Sequence, residues 1–171
     1  MSRREAEAQR ASFEQYVALR RPALLRTAYL LCGDHSAAED LVQVTLIKIV
    51  PRWGRIADRP DAYVRRVLVR ENISRWRRRR WREQSTDAVP DTAAADKRLD
   101  DRVTLHAALA QLAPRQRAVL VLRYYEDLTE AETAKALDVT VGTVKSQARD
   151  GLARLRALLP EEAAHRRTVA P

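Results

Sequence analysis

A single cysteine, Cys32, leaves no partner for an intramolecular disulfide, and three scattered histidines have no spacing that would assemble a zinc site. That usage fits a reducing compartment, so a cytoplasmic protein without metal or cofactor is expected. No apolar run reaches membrane-spanning length, and Ser2-Arg3-Arg4-Glu5 is not followed by the apolar core of a secretory leader. A soluble, unprocessed chain with no membrane association is therefore expected. Glycine-rich phosphate loop, nucleophile elbow and paired catalytic histidines are all missing, which argues against an enzyme. With four glycines, few aromatics, no strand-like alternation and no internal repeat, the abundant Ala, Leu, Arg and Glu favour helix almost everywhere. The expected fold is all-α.

What the chain has in excess is positive charge. Lys and Arg number 32 against 23 Asp and Glu, for a net charge of +9 and a pI near 10.4. A polyanionic partner suits that balance, nucleic acid ahead of an anionic membrane surface. At 171 residues the chain accommodates two small helical domains, each with a modest core.

The first helical block spans residues 13–82. Pro22 predicts a helix break near Arg21, because proline can begin a helical turn but not continue one. Cys32-Gly33-Asp34 reads as the next stop, and Ser36 with Glu39 as a reciprocal cap that starts a helix at Ala37. On that helix Ala38, Leu41, Val42, Thr45, Leu46 and Ile49 form one inward stripe. The opposite face carries Asp40, Gln43, Val44 and Ile47, and its branched aliphatics imply either a partner-binding surface or a third helix that covers them. After Trp53-Gly54, residues 55–61 read as a polar loop before a long helix that buries Tyr63, Val64, Val67 and Leu68. From Arg65 to Arg82 there are nine arginines and one acid, Glu71, with Trp76 and Trp81 interleaved. Guanidinium groups neutralise phosphates and flat aromatics stack on exposed bases. The blander reading for Trp76 is a core stripe with Val69 and Ile73.

From residue 83 to residue 101 the charge inverts, with Asp87, Asp91, Asp96, Asp100 and Asp101 beside Pro90, which reads as a flexible acidic linker. The second block spans residues 102–159. Two helices are expected before a motif at Glu130 to Ala148 with the spacing of a helix-turn-helix. Ala134 permits a close crossing, Leu137, Val139 and Val141 bracket a tight turn at Asp138, and Leu137, Val141 and Val144 hold the angle. Thr140 is placed to cap the second helix, whose exposed face would offer Thr143, Lys145, Ser146, Gln147 and Arg149. An ordinary helical hairpin would also carry a polar surface.

Three phrases resemble a known family: Asp40-Leu41-Val42-Gln43, Val141-Gly142-Thr143-Val144-Lys145-Ser146, and the run Leu112-Ala113-Pro114-Arg115-Gln116-Arg117-Ala118-Val119-Leu120. They are similar to the second and fourth conserved regions of the extracytoplasmic-function sigma factors, and Ala62-Tyr63-Val64-Arg65-Arg66 resembles their actinobacterial branch. The likeness spans residues 13–159. It implies a factor that binds core RNA polymerase, directs it to promoters and performs no chemistry of its own. Asp40, Gln43, Val44 and Ile47 would then face the clamp of the polymerase's largest subunit, with further contact to the second-largest. Arg55, Asp58, Arg59, Arg65, Arg66, Arg70, Trp76 and Arg77 would hold the melted minus-ten element. Thr143, Lys145, Ser146, Gln147 and Arg149 would read the minus-thirty-five duplex. An anti-sigma factor is a further implied partner. Asp138 stands where the family usually has a turn glycine, which implies a left-handed aspartate. The rival reading is a free-standing helix-turn-helix regulator that binds duplex tightly without polymerase.

Overall fold

The computed structural model describes residues 2–85 and 101–159, and every regular element among them is helical. Helix α1 spans Arg3–Cys32, α2 His35–Ile49, α3 Trp53–Ile56 and α4 Pro60–Ser85. The second block consists of α5 (Asp101–Ala110), α6 (Pro114–Leu120), a π-helical turn at Val121–Tyr125, α7 (Glu130–Leu137) and α8 (Val141–Leu158). Helix α4 reaches Ser85 and α5 starts at Asp101, so both ends of the expected linker are helical. The remainder of that linker lies outside the described residues.

Helix α1 corrects the break expected at Arg21, since it runs through Pro22 for 30 residues. The missing proline N–H and the ring's clash with the preceding turn cost about 3 kcal/mol. Burial on both sides of the proline offsets this. Phe13 and Tyr16 pack onto the cluster of Ile49, Trp53 and Val64, while Ala28 and Leu31 enter a second cluster. The helix ends at Gly33, whose φ of 81° lets its N–H close on Tyr29 O at 2.8 Å.

Helix α2 starts two residues before the expected Ala37, and Asp34 caps it by accepting from the Ala37 N–H at 2.8 Å. The Ser36–Glu39 box is displaced because the left-handed Gly33 delivers the extended Asp34 first. Ala38, Leu41, Val42, Thr45 and Ile49 are buried, as the stripe predicts. The loop expected over residues 55–61 shrinks to three, because Arg55 and Ile56 belong to α3 and Pro60 opens α4. Proline's fixed φ suits a first helical position.

The largest core cluster draws on both blocks. Ala28, Leu31, Leu41, Val42, Leu68 and Val69 of the first meet Ala118, Val121, Leu122 and Ala136 of the second. Full burial of a Leu or Val side chain stabilises by about 1.5–3 kcal/mol, so this seam is a substantial apolar contact. Polar groups reinforce it: the half-buried Arg117, its pKa pushed down by desolvation, donates to Leu31 O (2.9 Å), Leu112 O (3.3 Å) and Ala110 O. The Tyr29 ring is stacked between those of His35 and His106, each centroid 4.1 Å away.

Candidate nucleic-acid interface

Helices α7 and α8 form the expected helix-turn-helix. Thr129 and Glu132 cap α7 reciprocally, Asp138 adopts the left-handed conformation (φ 59°, ψ 50°), and the Thr140 hydroxyl accepts from the Thr143 N–H at 3.1 Å. One anchor differs from expectation. Val141 is 38 % exposed, and Val139 packs beside Val119, Ala134, Leu137 and Val144 in its place. The left-handed Asp138 turns the chain so that the residue after it points inward, while the first residue of α8 points out. Gly151 lets α8 approach α6 closely, with Leu120 Cδ1 and Gln116 Cβ at 3.3 Å from where a Cβ would sit.

On α8, Lys145 and Arg149 are exposed while Thr143, Ser146 and Gln147 are half-buried. The Ser146 hydroxyl donates to Thr143 O at 3.0 Å, Lys145 lies 3.6 Å from Glu130, and Arg149 pairs with Asp150 at 3.1 Å. Exposed ion pairs of this kind are worth little and exchange readily for phosphate contacts.

On α2, Asp40 and Gln43 are exposed, Val44 is half-buried and Ile47 is 62 % exposed. No third helix covers Ile47 among the described residues. Val50, just past the helix, extends the apolar strip. Asp40 accepts from Arg75 of α4 at 3.4 Å.

Arg55, Asp58 and Arg59 are exposed at the turn between α3 and α4. Beside them Asp61 accepts from Tyr16 (3.1 Å) and Arg20 (3.0 Å). The Arg20 hydrogen bond holds the Asp61 carboxyl below its ordinary range, and burial next to that carboxylate pushes the Tyr16 hydroxyl up. Arg66 is half-buried on the following turn. Trp76 is 40 % exposed, with the Arg80 guanidinium 5.3 Å from its ring centroid, and it stays out of the core that takes Val69 and Ile73. Arg77, Arg78, Trp81 and Arg82 line a shallow depression at the end of α4.

Two features of this surface escaped the sequence reading. Arg70 and Arg77 of α4 line one concavity together with Thr143 and Gln147 of α8, so both candidate DNA faces border the same space, with Arg115 as a further cation. Arg65 pairs with Glu126 of the second block at 2.9 Å, and Arg70 lies 3.5 Å from Asp138. Neither pairing follows from helical periodicity, which carries no information about contacts between blocks.

Residues 16–82 match the family described as Sigma-70 region 2, and residues 102–155 match Sigma-70, region 4. The chain is 44 % identical over 148 residues to the RNA polymerase sigma-E factor of Streptomyces avermitilis, covering 84 % of this chain and 83 % of that one. It is 34 % identical over 166 residues to the ECF RNA polymerase sigma factor SigL of Mycobacterium tuberculosis, covering 92 % of each. Among solved structures, the sigma factor RpoE of Bartonella quintana, crystallised with the anti-sigma factor NepR, has a TM-score of 0.72 at 28 % identity, covering 85 % of this chain and 95 % of that one. With both regions present in order, and a relative this similar across most of its length, the chain belongs to the extracytoplasmic-function sigma factors, initiation factors that direct RNA polymerase to promoters.

Proposed function

We propose that this chain recognises a promoter in two places while attached to core RNA polymerase. Asp40, Gln43, Val44 and Ile47 form the polymerase-facing surface, against the clamp of the largest subunit, with further contact to the second-largest. Thr143, Lys145, Ser146, Gln147 and Arg149 contact the minus-thirty-five duplex. Arg55, Asp58, Arg59, Arg65, Arg66, Arg70, Trp76 and Arg77 engage the melted minus-ten strand. The observation that carries this reading is α8 itself: Val144 is fully buried while Lys145 and Arg149 beside it face solvent. A helix anchored in this way presents donors to base edges and phosphates in a major groove.

The protein acts without catalysis or cofactor. Extruding a base costs a few kcal/mol of lost stacking, which arginine and aromatic contacts on α4 offset. Its place of action is the cytoplasm, and an anti-sigma factor restrains it, a reading supported by the Bartonella quintana relative, which was crystallised with one.

Run-off transcription with purified core polymerase tests the assignment. The chain is expected to yield promoter-specific transcripts, and Lys145→Ala with Arg149→Ala to abolish them at limiting factor concentration. Val44→Asp with Ile47→Asp is expected to weaken core binding at unchanged circular dichroism. Absence of any promoter-specific transcript together with no capture of core would instead indicate a free-standing regulator.

A further inference from the structure

Glu126 sits in an unusual piece of backbone. Its N–H closes a π-turn onto Val121 O at 3.0 Å, the next residue, Asp127, is left-handed (φ 53°), and the Leu128 N–H reaches back to Leu122 O at 3.0 Å. Widened turns and left-handed non-glycine residues are costly and persist where the surroundings or a function demand them. Here the effect is to carry one carboxylate out of the second block and into the seam between α1 and α4.

In that seam Glu126 Oε2 pairs with Arg65 Nε at 2.9 Å, and Oε1 accepts from the buried Thr27 hydroxyl. The pair is well withdrawn from water, with Glu126 18 % and Arg65 23 % exposed. Tyr16, Arg20 and Asp61 line the same small cleft. Five residues along α4 from Arg65, the second block supplies acceptors again: Arg70 donates to Ala136 O at 3.4 Å and lies 3.5 Å from Asp138. Beyond that point the pattern stops, and Arg77 to Arg80 are exposed.

We propose that the chain closes on itself and that Glu126 is the latch, a carboxylate occupying the place on Arg65 that a nucleic-acid phosphate would take. A guanidinium binds carboxylate and phosphate by the same charge-assisted geometry, so one excludes the other. Closure and nucleic-acid binding at Arg65 are therefore competing states of one equilibrium, and whatever separates the blocks frees the arginine. This inference rests on the reading of Arg65 as a nucleic-acid contact.

The test uses the full-length chain with spin labels on Glu39→Cys and Arg154→Cys in a Cys32→Ser background, and a fluorescein-labelled single strand of twelve thymidines as the phosphate probe. Glu126→Gln, which keeps the side chain's shape, is expected to add a longer inter-block distance. It should also raise affinity for the probe roughly tenfold, by enlarging the binding-competent fraction. Glu126→Lys should open the chain further, and Arg65→Glu combined with Glu126→Lys should restore the short distance without restoring probe binding. Unchanged distances in both single variants would overturn the latch. If the chain opens but probe affinity stays constant while Arg65→Ala still weakens binding, the competition is refuted and the contact stands. If it opens and Arg65→Ala is also silent, Arg65 is not a nucleic-acid contact, and the proposal fails with that reading.

Discussion

The two halves of α4 are made of the same material and meet opposite fates. In the first half Arg65 and Arg70 alternate with buried Val64, Leu68 and Val69, and their guanidinium groups find Glu126, Asp138 and a backbone carbonyl of the second block. In the second half Arg77 to Arg80 are exposed and, among the described residues, pair with nothing of the second block: Arg78 lies 3.9 Å from Glu71 and Arg80 over Trp76, both on α4 itself, while Arg75 turns to Asp40 of α2. Arginine content does not decide which group is available for phosphate. What decides it is whether the helix face beneath is apolar enough to be covered by a neighbouring element.

The largest expected effect comes from breaking the covered half. Leu68 is fully buried in the cluster shared by both blocks, and Leu68→Ala should cost about 2–5 kcal/mol in a urea unfolding experiment. Arg77→Ala in the open half should cost about 0.5 kcal/mol or less in the same measurement. Equal costs would erase the distinction. The open half should instead dominate the salt dependence of binding: for Arg77→Ala with Arg78→Ala, the slope of log affinity for single-stranded DNA against log salt should fall by roughly 0.7 for each arginine removed. A smaller effect is expected at the margin of the covered half. Asp61 has its folded-state pKa lowered, principally by Arg20, so its contribution is present above the ordinary carboxylate pKa and is lost as pH falls through the lower folded value. The difference in melting temperature between wild type and Asp61→Asn should accordingly shrink as pH falls below about 4. Since both partners are over 40 % exposed, its size should stay near 0.5 kcal/mol.

Much of this architecture is legible in the residues because it is local. The inward stripe of α2, the Thr140 cap and the exposure of Lys145 and Arg149 on α8 follow from spacing and side-chain chemistry within a few turns, while the left-handed Asp138 is implied by the family likeness. The misreadings have a shared origin in longer-range packing. Pro22 is carried through α1 because side chains on either side of it are buried by α2, α3 and α4. Val139 replaces Val141 as an anchor because the turn's handedness, not the apolar count, sets which valine points inward. Glu126 follows two tyrosines on a π-turn, and a lone acid there looks like any solvated loop residue until α1 and α4 are beside it. The partners proposed for the α2 and α8 faces rest on resemblance in short phrases, since exposure alone does not name what binds.

Pro22 has one more implication. Helical cooperativity passes from one hydrogen bond to the next, and a proline offers none to the carbonyl of Ala18. The ladder of α1 is thus interrupted at one rung, and hydrogen exchange should show the residues before Pro22 and those after it opening as two units. The amino-terminal segment begins with a largely exposed stretch, Arg3 to Ser12, which has little packing to delay its melting. The carboxy-terminal segment, with Thr27 and Leu31 buried, should exchange its amide protons more slowly than Arg3 to Ser12.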